Sequence, residues 1–167
     1  MCLAVVTGCG GASTTTSARE PDPRPANEAP QPPRATAPHA SARELLGVTG
    51  PDQPWAEMSA QDRELYMIGK ILPILAEMFA EAGPEAGQQL TCESCHGPRP
   101  QTRDFVMPSP ALPPVPPPGT QAYAALRQTK TRSVRFMEEQ VTPTMATLLG
   151  RTAGQGGFGC RSCHRTP

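Results

Sequence analysis

The sequence has few of the residues from which small proteins build their cores and polar sites. Only 4% of its 167 residues are aromatic, and there are three histidines and one tryptophan. No apolar run approaches the roughly 20 residues of a transmembrane helix, which argues against a membrane-spanning segment. The formal net charge is zero without any basic run, so nucleic acid is not an expected partner. A protein-only core would be thin, and we expect another group to fill part of it.

Proline, by contrast, is abundant, with 22 residues that fall mostly in two stretches. Nine prolines lie between Pro21 and Pro54, where Ala, Arg, Glu and Ser alternate without apolar periodicity. Such a segment cannot bury enough apolar surface to offset its ordering entropy, which predicts a disordered linker over residues 9–54. Nine more lie between Pro98 and Pro118 and mark a Pro-rich loop over residues 97–119.

The first residues have the pattern of a processing signal. A short apolar stretch leads into Val6-Thr7-Gly8-Cys9, which resembles the lipobox of bacterial lipoproteins, where a cysteine after small residues is acylated. The resemblance implies lipidation of Cys9 and removal of residues 1–8, a truncated signal remnant that contains Cys2. It also implies a lipid anchor that holds the protein at the periplasmic side of a bacterial membrane, with inner and outer membrane left open.

Residues 55–167 are predicted to form a small, mainly α-helical domain. Ser59 has the character of a helix N-cap, and an apolar helical stretch follows it up to Pro73, which should kink or restart the helix. A second helical stretch is interrupted in the same way by Pro143. Aligning the two prolines reveals an internal repeat of helix, proline break, short helix, loop and CxxCH. The parts are repeat one (55–100), the Pro-rich loop (97–119) and repeat two (120–167).

Each repeat ends in a CxxCH motif, Cys92-Glu93-Ser94-Cys95-His96 and Cys160-Arg161-Ser162-Cys163-His164. In a c-type haem site, two cysteines form thioether bonds with the haem vinyl groups and the adjacent histidine ligates the iron. The sequence therefore predicts two haem c groups with covalent attachment through Cys92, Cys95, Cys160 and Cys163. The proximal iron ligands are predicted to be His96 and His164.

Zinc binding and thiol redox chemistry are the competing interpretations of these cysteines. Four cysteines can bind zinc, but the two pairs are far apart in the chain and each carries a histidine that a Cys₄ site does not need. A thioredoxin-like site requires a neighbouring βαβ pattern, and the sequence shows none. Cysteines outside the cytoplasm also tend to oxidise, which favours haem attachment in an exported chain.

The sixth iron ligands are less determined. His39, the third histidine, lies in the linker, so histidine cannot supply both distal ligands within one chain, and methionine or an open site remains. Met78 and Met145 lie 14 and 15 residues before the first cysteine of their motifs and are the favoured candidates. The alternatives are Met67 and Met137, which are equivalent in the repeat, and Met107. For each of them, a methionine that fills a gap in the core is the competing interpretation.

This organisation is similar to the cytochrome subunit of photosynthetic reaction centres, in which a helix with the axial methionine precedes each CxxCH. The region from Trp55 to Pro167 also resembles small dihaem cytochrome c lipoproteins of proteobacteria. The resemblance implies outer-sphere electron transfer between redox partner proteins, without catalytic residues. The alternative is a dihaem enzyme of the peroxidase or reductase type with one open iron coordination site.

Charge differs between the two repeats. Residues 52–96 hold eight acidic and two basic residues, a balance of −6, whereas residues 120–167 hold seven basic and two acidic residues, a balance of +5. A basic face near the second haem would steer the docking of an acidic redox partner. Solvated helix faces and compensation of haem propionates explain the same pattern equally well.

Overall fold

The structure, a computed structural model, describes residues 40–83, 90–154 and 156–167. Within these ranges the protein is mainly helical and has no β-strand, which confirms the expectation of a mainly α fold. Two isolated bridges, Ser109 with His164 and Ala153 with Phe158, are the β-type pairings found there. No helix of the described ranges has the length and apolar character to cross a bilayer. The predicted lipidation site Cys9 and the linker histidine His39 lie outside the described residues.

The helices are short and follow one another with brief connections. Their order in the described ranges is α1 (Ala42–Leu46), a 3₁₀ turn (Trp55–Glu57), α2 (Ala60–Tyr66), a first π-turn (Met67–Ile71), α3 (Leu72–Ala82), α4 (Cys92–His96), a second 3₁₀ turn (Pro100–Arg103), α5 (Gln121–Thr129), α6 (Thr131–Phe136), a second π-turn (Met137–Val141), α7 (Thr142–Leu148) and α8 (Cys160–Cys163).

Both predicted proline interruptions take the form of a π-turn that directly precedes the proline. The backbone N–H of Leu72 bonds to the carbonyl of Met67, five residues back, and Thr142 bonds to Met137 in the same way. Pro73 and Pro143 then stand in the first turn of α3 and α7. A proline has no N–H and its ring crowds the preceding turn, so a wider turn accommodates it. The helices therefore continue through both prolines.

The core lies where α3 packs against α7 and the segment before α8. Its buried members are Ile71, Ile74, Leu75, Met78, Ala146, Leu148, Leu149 and Phe158. The rings of Phe79 and Phe136 meet edge to face with centroids 5.1 Å apart. The Tyr66 hydroxyl donates to the Leu148 carbonyl at 3.0 Å. These contacts join the two halves of the helical unit around one small core.

The helical unit begins earlier than residue 55, where the sequence analysis placed its start. Ser41 caps α1 by accepting a hydrogen bond from the Glu44 N–H. Arg43 then contacts Glu81 and pairs with Glu77, with 2.6 Å between Nε and Oε1. No residue of α1 is buried, which agrees with the lack of apolar periodicity in its sequence. Charge docks this part of the predicted linker onto α3, which is why the hydrophobic pattern did not reveal it.

Candidate functional site

Each CxxCH motif forms one helical turn. The first is α4 itself, and the second is α8 with His164 as the residue that ends it. Side chains three residues apart lie next to each other on a helix, so the two cysteines of each motif share one face. All four cysteines are free and half-buried. Each motif thus presents two thiols side by side with an imidazole directly after them.

A serine inside each motif holds the start of its turn. Ser94 Oγ accepts a hydrogen bond from the Thr91 N–H at 3.0 Å, and Ser162 Oγ accepts one from the Gly159 N–H at 3.1 Å. These bonds satisfy backbone donors that precede the first cysteine and that the helix itself leaves free. The sequence analysis assigned no role to the two serines, although their equivalent positions in both motifs were a usable signal.

Both histidines are oriented by a backbone carbonyl. His96 Nδ1 lies 3.1 Å from the Phe105 carbonyl oxygen, and His164 Nδ1 lies 2.8 Å from that of Pro113. A carbonyl can only accept, so in each ring Nδ1 carries the proton and Nε2 keeps its lone pair. Metal-ligating histidines characteristically use their second nitrogen in this way. The structure therefore prepares Nε2 of both imidazoles as a ligand atom.

The His96 ring is also held in its neutral form. Burial lowers the pKa of His96, and the hydrogen bond with the Phe105 carbonyl offsets part of that shift. The Phe105 ring meets the His96 ring edge to face, with centroids 5.4 Å apart. Since only a neutral imidazole can bind a metal, this environment favours ligation.

The Pro-rich loop supplies both carbonyls. Proline has no N–H, so few donors within the loop compete for its carbonyl groups. Asp104 and Phe105 both adopt a left-handed backbone with φ of 50°, which reverses the chain beside His96. Such conformations are costly for residues other than glycine, and their presence beside a histidine is typical of a site that positions a ligand. The sequence analysis identified this loop but assigned no role to it.

The same loop brings the two motifs together. Ser109 is completely buried, and its N–H donates to the Cys163 carbonyl at 2.9 Å. Gly97, which follows His96, packs so closely on the loop that a Cβ there would lie 2.8 Å from Ala111 Cβ and 3.7 Å from Ser109 Oγ. Ser109 of the loop thus packs against the residue that follows His96 and bonds to the residue that precedes His164. The two motifs therefore lie next to each other.

Burial favours the protonated thiol at the second cysteine of each motif, Cys95 and Cys163. Burial raises the pKa of the Cys95 thiol, and the Cys92 charge adds to the shift. Burial also raises the pKa of Cys163 to about 11, with smaller contributions from Cys95 and Cys160. Redox-active and zinc-binding cysteines require the opposite shift, because the thiolate is their reactive form. The environment of Cys95 and Cys163 therefore disfavours thiol redox chemistry.

The predicted distal methionines divide into two groups. Met78 is 3% exposed and belongs to the core, while Met67 and Met145 pack against that core, as does Cys163. Met137 and Met107 are half-buried and are not among the residues that pack there. Three of the five candidates therefore share a core with a cysteine of the second motif.

Tyr123 is a further residue of the second motif's surroundings that sequence reasoning missed. Its ring is 6% exposed, its hydroxyl donates to Glu138 Oε1 at 2.7 Å, and its oxygen lies 3.7 Å from Cys160 Sγ. Arg127 Nε pairs with the other Glu138 oxygen at 3.3 Å. No pattern in helix α5 signalled this buried contact.

Two open cavities adjoin the second motif. One of about 320 Å³ is lined by Pro108, Arg161, His164, Arg165 and Thr166. The other, of about 530 Å³, lies along Pro117, Pro118, the glycines before Cys160, and Cys160 to Ser162. Both volumes fall in the range of about 300–1,000 Å³ that small-molecule sites occupy. Space is therefore available beside the His164 imidazole in one cavity and beside Cys160 in the other.

The donor set fits haem better than a single metal ion. In the part of the chain that the structure describes, no three His, Cys, Asp or Glu side chains are grouped to hold one ion. Covalent haem asks for less, since two thiols bond the porphyrin edge and one imidazole nitrogen reaches the iron.

Comparison with protein families, curated proteins and solved structures finds no match to this chain. The geometry of the two motifs is therefore the basis for assigning a function.

Proposed function

We propose that the chain is a dihaem c-type cytochrome that transfers electrons between redox partner proteins at the periplasmic side of a bacterial membrane. The thioether bonds to the two haems come from Cys92, Cys95, Cys160 and Cys163, and the proximal ligands are His96 and His164. Bound haem supplies a one-electron ferric–ferrous couple. Lipid at Cys9 anchors the protein to the membrane, and the chain after it is a tether.

The observation that carries this proposal is the paired orientation of the histidines. In both motifs Nδ1 donates to a carbonyl of the Pro-rich loop, at 3.1 Å and 2.8 Å, and Nε2 is left as the ligand atom. A single bond of this kind beside a CxxC would carry little weight, because every residue of a protein offers a carbonyl group. Its occurrence at both motifs supports a shared function for the two histidines, and iron ligation is the function that this geometry serves.

A repeated unit for each haem is supported by the helices that precede the motifs. The succession of helix, π-turn and proline-containing helix occurs over residues 60–82 and again over residues 131–148. The two π-turns begin 70 residues apart, at Met67 and Met137. Each succession is followed by a CxxCH turn with its own serine bond. We infer that duplication of one haem-binding unit produced this domain.

Electron exchange inside the domain is supported by the contact between the motifs. Ser109 links the loop that follows the first motif to Cys163 of the second. Haems attached to adjoining motifs would lie close together. As distal ligands we propose Met78 and Met145, whose sulfur would raise the reduction potentials. Met67, Met137 and Met107 remain the alternatives.

The test is production of the full chain in a host equipped for cytochrome maturation. Pyridine haemochrome analysis and intact mass should report two haems per chain. Changing both Cys92 and Cys95 to Ala should remove one haem, and changing Cys160 and Cys163 should remove the other. Cys9→Ala serves as the control, since it should abolish acylation but keep both haems. Unpigmented protein with the mass of the bare acylated polypeptide would contradict the proposal.

Carbon monoxide distinguishes electron transfer from the enzyme alternative. With methionine on both irons, the reduced native protein should not bind carbon monoxide. Binding at one haem without denaturation would reveal an open coordination site and favour a dihaem enzyme of the peroxidase or reductase type.

A further inference from the structure

The two motifs differ in charge at equivalent positions of the sequence. The residue after the first cysteine is Glu93 in the first motif and Arg161 in the second. The residue after the histidine is Gly97 in the first motif and Arg165 in the second. The turn from the first to the second cysteine is helical in both motifs, so Glu93 and Arg161 occupy corresponding places on it. Gly97 and Arg165 correspond in sequence only, because His96 is helical whereas His164 is extended.

Charges around the first motif largely cancel. Glu93 is exposed, and its Oε1 accepts a hydrogen bond from the Arg99 N–H at 3.2 Å. The Arg103 side chain lies close to Gly97, and its Nη1 would be 3.4 Å from a Cβ added at that glycine. Asp104 follows Arg103 in the chain. Within eight positions of His96 in the chain there are thus two acidic and two basic residues, whose formal charges cancel.

Charges around the second motif do not cancel. Arg161 and Arg165 both line the cavity beside His164, and no acidic residue lines it. In the described ranges neither arginine takes part in an ion pair. The acidic residue near Cys160 is Glu138, and Arg127 already pairs with it at 3.3 Å. Two uncompensated positive charges thus remain at this motif.

We propose that this difference gives the two haems different reduction potentials, with the haem of the second motif the more readily reduced. Reduction adds one negative charge at the iron, which nearby arginines stabilise and a nearby glutamate opposes. With haem bound, the electron of the half-reduced protein would be held at the iron ligated by His164 rather than at the iron ligated by His96, and no bond or proton would change place. This inference depends on the proposed function. It predicts that the haem of the second motif is the one that is reduced when the protein holds a single electron.

A potentiometric titration of the holoprotein, followed by haem absorbance, tests the inference. Two one-electron components should appear, separated by roughly a factor of ten in equilibrium constant, or about 59 mV. Raising the salt concentration should narrow the separation, because ions screen exposed charges. A single component, or two that coincide, would overturn the inference.

Charge-neutralising variants identify which component belongs to which motif. Arg161→Gln should lower the potential of the high component, and the double variant with Arg165→Gln should lower it further. Glu93→Gln should raise the low component alone. Arg161→Lys, which keeps the charge, should leave both in place. Arg135→Gln is the matched control, because it removes the same charge from an arginine that is engaged with Glu139.

The outcomes separate the two proposals. A response of the low component to Arg161→Gln would reverse the assignment and overturn the inference, although the protein would still be a dihaem cytochrome. A protein without covalent haem would instead contradict the proposed function, and the titration would show no components.

Discussion

Ser109 donates its backbone N–H to the Cys163 carbonyl at 2.9 Å, and its side chain is completely buried. Its own hydroxyl accepts a hydrogen bond from the Ala111 N–H at 3.2 Å. These bonds fasten the loop that leaves the first motif onto the turn of the second. Neither motif can therefore rearrange without disturbing the other, and we expect the two sites to unfold together.

The first prediction concerns the glycine that follows His96. Gly97 has a φ of +82°, and a Cβ would lie 2.8 Å from Ala111 Cβ. We expect Gly97→Ala to cost about 1–3 kcal/mol for a backbone conformation that suits only glycine and a further ~1–3 kcal/mol for overpacking. Gly119 is the control, since its φ is +87° but nothing lies within 4 Å of its Cβ position. Denaturant unfolding of the holoprotein measures both, and equal losses would contradict the close packing.

The second prediction concerns the distal ligands. Met78→Leu and Met145→Leu should each remove part of the methionine–iron charge-transfer absorption of the oxidised protein. Leucine has a similar volume, so the free energy of unfolding should fall by less than about 1.5 kcal/mol through packing. Met137→Leu is the comparison and should keep the full absorption. Loss of the band in Met137→Leu instead would transfer the assignment to the equivalent pair Met67 and Met137.

The third prediction is a pH dependence that comes from Tyr123. Burial, followed by the hydrogen bond with Glu138, raises the pKa of Tyr123 above its usual value of 10.0. A folded-state pKa above the unfolded one stabilises the protein fully below pH 10.0, and this contribution is lost as the pH rises. Near neutral pH, Tyr123→Phe should cost about 1–2 kcal/mol through the lost hydrogen bond.

The measurement for Tyr123 is the difference in unfolding free energy between the two proteins across the pH range. The difference should shrink above pH 10.0, where the unfolded wild-type chain loses its tyrosine proton more readily than the folded one. Other titrating groups are common to both proteins and cancel in the difference. A constant difference would show that Tyr123 is no more difficult to ionise than an exposed tyrosine.

The fourth prediction concerns the docking of α1. Burial raises the pKa of Glu77, but hydrogen bonds from the Arg43 side chain and from the N–H groups of Ala42 and Arg43 together lower it. Its stabilising contribution is therefore present above pH 4.5 and is lost as the pH falls. Glu77→Gln should speed hydrogen exchange at Ala42 by about tenfold or more as α1 detaches. Glu81→Gln, at a more exposed position, should change this exchange little.

Local signals in the sequence predicted the helices well where they depend on neighbouring residues. Ser59 caps α2 as expected, accepting a hydrogen bond from the Asp62 N–H at 3.1 Å. The effect of Pro73 and Pro143 was also located correctly, since the missing N–H belongs to the proline itself. The π-turn that accommodates each proline was not predicted, because the choice between a kink and a wider turn depends on packing along the whole helix.

The surroundings of the motifs were harder to predict. α1 lacks an apolar stripe, so only its ion pairs with α3 show that residues before 55 join the helical unit. Tyr123 reaches Cys160 across 37 positions in the chain, a contact that no periodicity encodes. The two motif serines could have been noticed, but their bonds become evident only when the turn has formed.

The order of residues alone specifies the helical class, the proline positions and the donor atoms of both motifs, because these depend on chemistry within a few neighbouring residues. Long-range packing selects the partners of those donors. Every residue offers a carbonyl of the same kind, so nothing in their side chains marks Phe105 and Pro113 as partners of His96 and His164. Folding of the Pro-rich loop between the motifs makes that choice, and with it the orientation of both imidazoles.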